Sequence, residues 1–271
     1  MSFATFMWER VRTVNRLPGA FALYKLLMKY RFRDGSEITI SRGPLSGLKW
    51  RHYSIYQAWM AMGLYEPHVA GLIASELNPG DVFYDVGANA GYFALVAAIS
   101  VGDQGHVVAF DPHPTNAATI REQISINGFD DKCQVEEVAI SDRADTAEFV
   151  MADVNANSHL VDFVAPHARE DGSKIKVPVD MLDTFDDKHP HPTLIKIDVE
   201  GAEVAALAGA TQLLDRQPQP TWLVSTHSDE LKNEVEVVLR RHGYSLRSLV
   251  GFEQMVVAVP TIARQPKRTH V

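Results

Sequence analysis

Two hydrophobic periods alternate along most of the chain. Short apolar runs of strand-type residues stand at 82–84, 106–110, 133–140, 193–199 and 221–225. Stretches with helical spacing follow them at 92–101, 114–127, 203–214 and 230–242. A final pair of strands is expected at 244–249 and 253–259, turning near Gly251. Residues 146–150 and 174–179 read as antiparallel additions. The polar segment between them, 153–172, is long enough to predict a lid. His159 and His167 lie in it without metal-ligand spacing to each other.

Upstream, residues 3–17 read as an amphipathic helix that Pro18-Gly19 breaks, and 20–30 as a second helix with an apolar stripe. Strands are expected at 37–40 and 48–52, and helices at 55–62 and 66–77, the last stopped by Asn78-Pro79-Gly80. Strands that alternate with helices predict an α/β, Rossmann-like sheet that is mostly parallel. The expected organisation is a cap at 1–64, a main domain at 65–260 and a basic, frayed tail at 261–271.

The chemistry concentrates where strands end. Residues 81–93, DVFYDVGANAGYF, pass from a strand through a glycine turn into a helix, the crevice where such sheets take small cofactors. The spacing is D-x-G-x-N-x-G and not the G-x-G-x-x-G of a dinucleotide fingerprint. Asp85 would repel a pyrophosphate and suits a cationic ligand such as S-adenosylmethionine. A nicotinamide cofactor, or an ordinary turn that binds nothing, are the other readings. Asp111 lies about twenty residues on, where an acidic side chain meets ribose hydroxyls; it also suits a helix cap. In 192–203, PTLIKIDVEGAE, Lys196 and Asp198 share one face of a buried strand, with Glu200 just beyond. Buried charges are costly unless paired, so this end is a site or a salt-bridge network. His227 follows the next strand and is the candidate base, its ordinary pKa lying near neutrality. Asp198 is the alternative proton acceptor. Asp198, Glu200 and His227 together could hold a divalent ion that acidifies a hydroxyl.

Composition narrows the classes. The single cysteine, Cys133, allows no intrachain disulfide and fits a reducing, cytoplasmic compartment. The net charge of −8 hides a basic arm: residues 1–53 carry ten basic side chains against three acidic ones. Such an arm could meet an anionic substrate or a membrane surface, or dock on its own acidic domain. An acidic chain without a nucleic-acid motif argues against nucleic acid.

The segments DVFYDVGANAGYF, FDPHPTNAATIREQISINGF, VEEVAISD, LDTF and LIKIDVEGAEVAALAGA resemble the FkbM-type methyltransferases over roughly residues 65–227. The resemblance implies the class I fold: a mostly parallel seven-stranded sheet with a final antiparallel hairpin, here behind an N-terminal helical and strand cap. It implies S-adenosylmethionine as cofactor and methylation of a hydroxyl on a sugar, glycolipid or natural product. Carried onto this chain, the cofactor residues are Glu66, Asp85, Gly87, Asn89, Gly91, Tyr92, Asp111, Pro112, His113, Ala139, Ser141 and Asp198. The catalytic candidates are His227, Asp198 and Lys196. Asp111 departs from the family pattern, which has glutamate there. The competing classes are a binding module without turnover and a nicotinamide-dependent reductase.

Overall fold

The computed structural model describes residues 33–53, 57–151, 159–160, 173–249 and 252–261. The helices expected at 3–17 and 20–30, most of the 153–172 segment with His167, and the tail from 264 lie outside the described residues.

The chain enters through a hairpin, β1 (Ser36–Thr39) against β2 (Lys49–His52), then the short helix α1 (Ala58–Ala61) and α2 (Pro67–Glu76). The central run is β3 (Val82–Val86), α3 (Tyr92–Ser100), β4 (His106–Phe110), α4 (Pro114–Ile126) and β5 (Cys133–Glu136). A small sheet follows from β6 (Ala139–Ile140), β7 (Asp145–Met151), β8 (His159–Leu160) and β9 (Ser173–Asp180). The chain then returns through α5 (Leu182–Asp186), β10 (Leu194–Ile197), α6 (Glu203–Ala208), α7 (Thr211–Asp215), β11 (Thr221–Ser225) and α8 (Asp229–Arg241). It closes with β12 (Tyr244–Leu249) and β13 (Phe252–Pro260).

The main sheet has seven strands in the order β12-β13-β11-β10-β3-β4-β5. The five strands from β11 to β5 are parallel, and β13 and β12 add antiparallel at the edge. This is the class I methyltransferase arrangement that the resemblance implied. The chain steps outward from β3 to β4 and β5, then returns to the other side of β3. The carboxyl ends of β3 and β10 therefore flank a topological switch point, where α/β sheets bind ligands.

Both faces of the sheet are covered. On one face, α2, α3 and α4 pack with the hairpin around Phe83, Val107 and Leu223. Helix α3, YFALVAAIS, is apolar almost all round and correspondingly buried. The other face packs α5 to α8 on Tyr84, Phe110, Ile195 and Trp222. The hairpin is tied to α4 by side-chain amides that imitate a neighbouring strand. Asn127 accepts from Lys49 N at 2.9 Å and donates to its carbonyl at 2.9 Å, and Gln123 does the same for Arg51 at 2.9 and 2.6 Å. Lys49 and Arg51 also pair with Glu37, and Arg51 with Glu122 of α4. These two charges of the basic arm are thus spent on the chain's own body.

Two expectations are corrected. The strand expected over 133–140 is two: β5 stays in the main sheet, and β6 pairs in parallel with β9 in the small sheet. The break lets Val138 turn toward the ligand crevice. The helix expected over 203–214 is also two. Gly209 passes so close to Ser141 that a Cβ would lie 1.9 Å from its carbonyl oxygen. Beyond it, the Asp183 carboxylate accepts from Gln212 N and Leu213 N at 2.9 and 3.0 Å and caps a fresh helix start. The LDTF segment that contributed to the resemblance thus holds this helix break.

Candidate functional site

A cavity of about 630 Å³ opens at the carboxyl ends of β3, β4, β10 and β11, within the range of small-molecule sites. Of the residues expected from the sequence, it brings together Glu66, Gly87, Asn89, Tyr92, Asp111, Pro112, Ala139, Lys196, Asp198, Glu200 and His227.

The turn after β3 approaches its neighbour as closely as backbone allows. Gly87 has φ +79°, and a Cβ there would stand 1.9 Å from the Asp198 carbonyl oxygen. Gly87 N and Ala88 N both donate to the Phe110 carbonyl, at 2.9 and 3.0 Å, which binds the turn to β4. Among the described residues, the non-glycine positions with left-handed backbone are Glu66, Asn89 and Glu200, with φ of 35°, 52° and 54°. All three line the cavity. Such strain, about 1–3 kcal/mol each, persists where the surroundings over-determine it, commonly at functional sites.

Four expected residues stand behind the cavity wall and not on it. Asp85 is fully buried, its Oδ1 3.8 Å from Lys196 Nζ, so it supports the floor instead of meeting ligand directly. Burial raises its pKa to about 6, against the pull of Lys196. Gly91 packs against Ile120. His113 caps α4, its Nδ1 accepting from Thr115 N at 3.2 Å. Ser141 is buried, its hydroxyl 3.2 Å from an Asp142 carboxylate oxygen. The cavity wall on this side is formed by Pro112 and Ala139, which were expected, together with Val138, Phe149 and Leu160.

Asp111 lines the cavity but its carboxylate is already engaged. It accepts from Asn89 N at 2.8 Å, His113 N at 2.9 Å and the Asn116 amide at 3.2 Å from both oxygens. Burial nevertheless raises its pKa to about 7. The carboxylate therefore organises this edge and presents Asn89 and Asn116 along with itself.

At the end of β10 charges crowd together. Lys196, buried, places Nζ 3.3 Å from Asp198 Oδ2 and 5.0 Å from the Phe93 ring centroid. Burial would lower its pKa, but Asp198, Asp85 and Glu66 raise it, so it stays charged and anchors carboxylates instead of accepting protons. Asp198 is held down to about 2: burial opposes ionisation, and Lys196 and His227 overcome it. His227 sits among three carboxylates, with Nε2 3.4 Å from Asp198 and 3.3 Å from Glu203, and Nδ1 3.8 Å from Glu200. Burial would lower its pKa; the carboxylates of Asp198, Glu203 and Glu200 around the ring raise it to about 10. The ring is thus protonated at neutral pH. In that form the ring acts as a counter-ion to these carboxylates, since an imidazolium has no lone pair to accept a proton. Glu200, which faces the cavity, is raised to about 7 by burial despite His227.

Sequence reasoning missed Glu203, assigned above to a helix start. It is fully buried and accepts from Val199 N at 3.2 Å and Gly201 N at 3.1 Å, which fixes the carboxylate beneath His227. Its signal was a second acid in VEGAE that a helix cap alone does not require. Tyr65, Tyr92 and Phe93 form an aromatic wall, with ring centroids 5.4 Å apart for Tyr65–Tyr92 and 5.6 Å for Tyr65–Phe93. The buried Tyr92 hydroxyl has no hydrogen-bond partner among the described residues. Gln254 and Met255 of β13 also reach the cavity, joined to it by Thr226 N and Oγ1, each 2.7 Å from the Gln254 carbonyl.

The sequence profile of the Methyltransferase FkbM domain matches residues 85–246. Among curated proteins, no sequence matches the chain. Similar solved structures include a precorrin-6y C5,15-methyltransferase from Geobacter metallireducens GS-15, at 11% identity, covering 73% of this chain and 90% of that one with a TM-score of 0.47. A putative rRNA-methylase from Clostridium thermocellum is 11% identical, covers 73% and 96%, and scores 0.48. An O-methyltransferase from Bacillus cereus in complex with SAH is 15% identical, covers 71% and 79%, and scores 0.43.

Proposed function

The chain belongs to the FkbM methyltransferase family and is a methyltransferase dependent on S-adenosylmethionine; from that premise we propose that it methylates a hydroxyl group on a sugar, glycolipid or natural-product acceptor. The observation that carries the reading is the carboxylate-rich corner of Asp198, Glu200 and His227 opening on the switch-point cavity.

The residues present fit the cofactor. Glu66 puts a carboxylate on the cavity wall, which favours a ligand carrying sulfonium and ammonium groups. Tyr92 offers a buried hydroxyl without a partner. Asp111, with Asn116 beside it, would hold the sugar hydroxyls, and the apolar wall of Val138, Ala139 and Phe149 would take the base. When bound, the cofactor supplies a methyl group on a cationic sulfur that leaves as a neutral thioether.

The protein's part is to position the acceptor and take its proton. The tight β3–β10 approach fixes the floor, and holding two reactants in line removes much of the entropic barrier. Asp198, clamped by Lys196 and His227, orients the hydroxyl. Glu200, whose pKa of about 7 matches a proton acceptor working at neutral pH, takes the proton. His227 stabilises the carboxylates around it.

The experiment is transfer of labelled methyl from S-adenosylmethionine to a panel of hydroxylated glycans and natural products. The expected result is labelled product with the wild type and a loss of at least about a hundredfold in Glu200→Gln, the range of one acid–base group. Cofactor bound tightly but never turned over with any acceptor would favour a binding module instead.

A further inference from the structure

We propose that the carboxylates of Asp198 and Glu200 and the imidazole of His227 form a site for one divalent cation, of the Mn²⁺ or Mg²⁺ class, on the acceptor side of the cavity. One ligand atom from each lies within 4.8 Å of the others. Ligands of such an ion stand about 3 Å apart when cis and about 4.2 Å apart when trans, so the three donors draw together as the ion binds.

Three features point the same way. The donors come from neighbouring strand ends, β10 and β11, and Glu200 is held in place by a left-handed backbone. Two of the three donors also have a fixed partner behind them. Lys196 Nζ holds Asp198 Oδ2 at 3.3 Å. Glu203, itself fixed by Val199 N and Gly201 N, lies 3.3 Å from His227 Nε2, which Asp198 also approaches to 3.4 Å, while Nδ1 faces Glu200 at 3.8 Å. A carboxylate behind the ring is the outer partner that metal-bound histidines regularly have, since it sets the tautomer and the ring's direction. Finally, Glu66, Asp198, Glu200 and Glu203 face only Lys196 and His227 as described cations at this cavity end. A cation seated there offsets more of that charge.

Mixed carboxylate and imidazole donors suit Mn²⁺ or a similar ion better than Ca²⁺. Three protein ligands leave positions open to the cavity, where an acceptor hydroxyl can bind and become more acidic. The free oxygen of Glu200 then accepts its proton. The ion's role rests on the methyltransferase reading, but its binding does not.

The test is titration of the full chain with Mn²⁺ alone, following loss of the free-ion electron paramagnetic resonance signal, with Mg²⁺ as competitor. The expected result is about one Mn²⁺ per chain, weakened tenfold or more in Glu200→Gln and in His227→Gln. Glu234→Gln, on the exposed face of α8, should bind as the wild type does. Glu200→Gln alters a cavity-facing group, and its circular dichroism melt confirms that it is folded. No bound Mn²⁺ up to millimolar concentration, or equal binding in wild type and both variants, overturns the inference. Equilibrium dialysis with S-adenosylmethionine on the same samples separates this from failure of the methyltransferase reading.

Discussion

His227 is surrounded by Asp198, Glu200 and Glu203, and that environment makes a pH prediction. Its folded pKa of about 10 lies above the ordinary 6.5, so its contribution to stability is whole below 6.5 and is lost as pH rises through 10. Asp85, Asp111 and Glu200 are also raised, to about 6, 7 and 7, so their contributions too fall away with rising pH. Asp198, lowered to about 2, acts oppositely and loses its contribution as pH falls from 3.8 through 2. The melting temperature of the metal-free protein should therefore drop between pH 7 and 10, and His227→Gln should drop less over that window. Parallel curves would remove the imidazolium assignment. At this scale the sequence identified His227, Asp198 and Glu200 from their place at strand ends. It did not reveal protonation, because Glu203, the carboxylate beneath the ring, reads equally as a helix start.

Elements were legible where local pattern and tertiary pairing agree. The strands at 106–110 and 221–225 have the bounds that their apolar runs predict. The break after Glu136 and the break at Gly209 were not legible, since each depends on a distant partner: β9 for the first, Ser141 and Asp183 for the second. The docking of the β1–β2 hairpin is of the same kind. Its connection to α4 runs through two amide side chains, Gln123 and Asn127, that nothing nearby in the chain distinguishes. Gln123 is fully buried and satisfies both the N–H and the carbonyl of Arg51. Gln123→Ala leaves both without that partner and should cost about 1–3 kcal/mol in urea unfolding, with the slope unchanged. A loss below a few tenths of a kcal/mol would mean that the hairpin is held by its apolar contacts alone.

At the scale of the molecule, the alternation of strands and helices determined most of the sheet, and the five parallel strands follow the expected sequence of elements. What the pattern could not supply was how the edges close on the cavity. Gln254 and Met255 arrive on β13 from the end of the chain, and Glu66 arrives on a strained turn ahead of β3. Charged side chains from the turn before α2 and from the ends of β4, β10 and β11 meet at the same crevice. Among the described residues, no helix is long and apolar enough to cross a membrane. The central claim is that this crevice, built on the β3–β10 approach, holds S-adenosylmethionine. Calorimetric titration of the purified chain with S-adenosylmethionine tests it most directly, with Gly87→Ala as comparator because a Cβ there collides with the Asp198 carbonyl. The account predicts saturable binding at one site per chain, weakened at least about tenfold in Gly87→Ala. A folded wild-type protein that gives no heat and retains no cofactor on dialysis would contradict it.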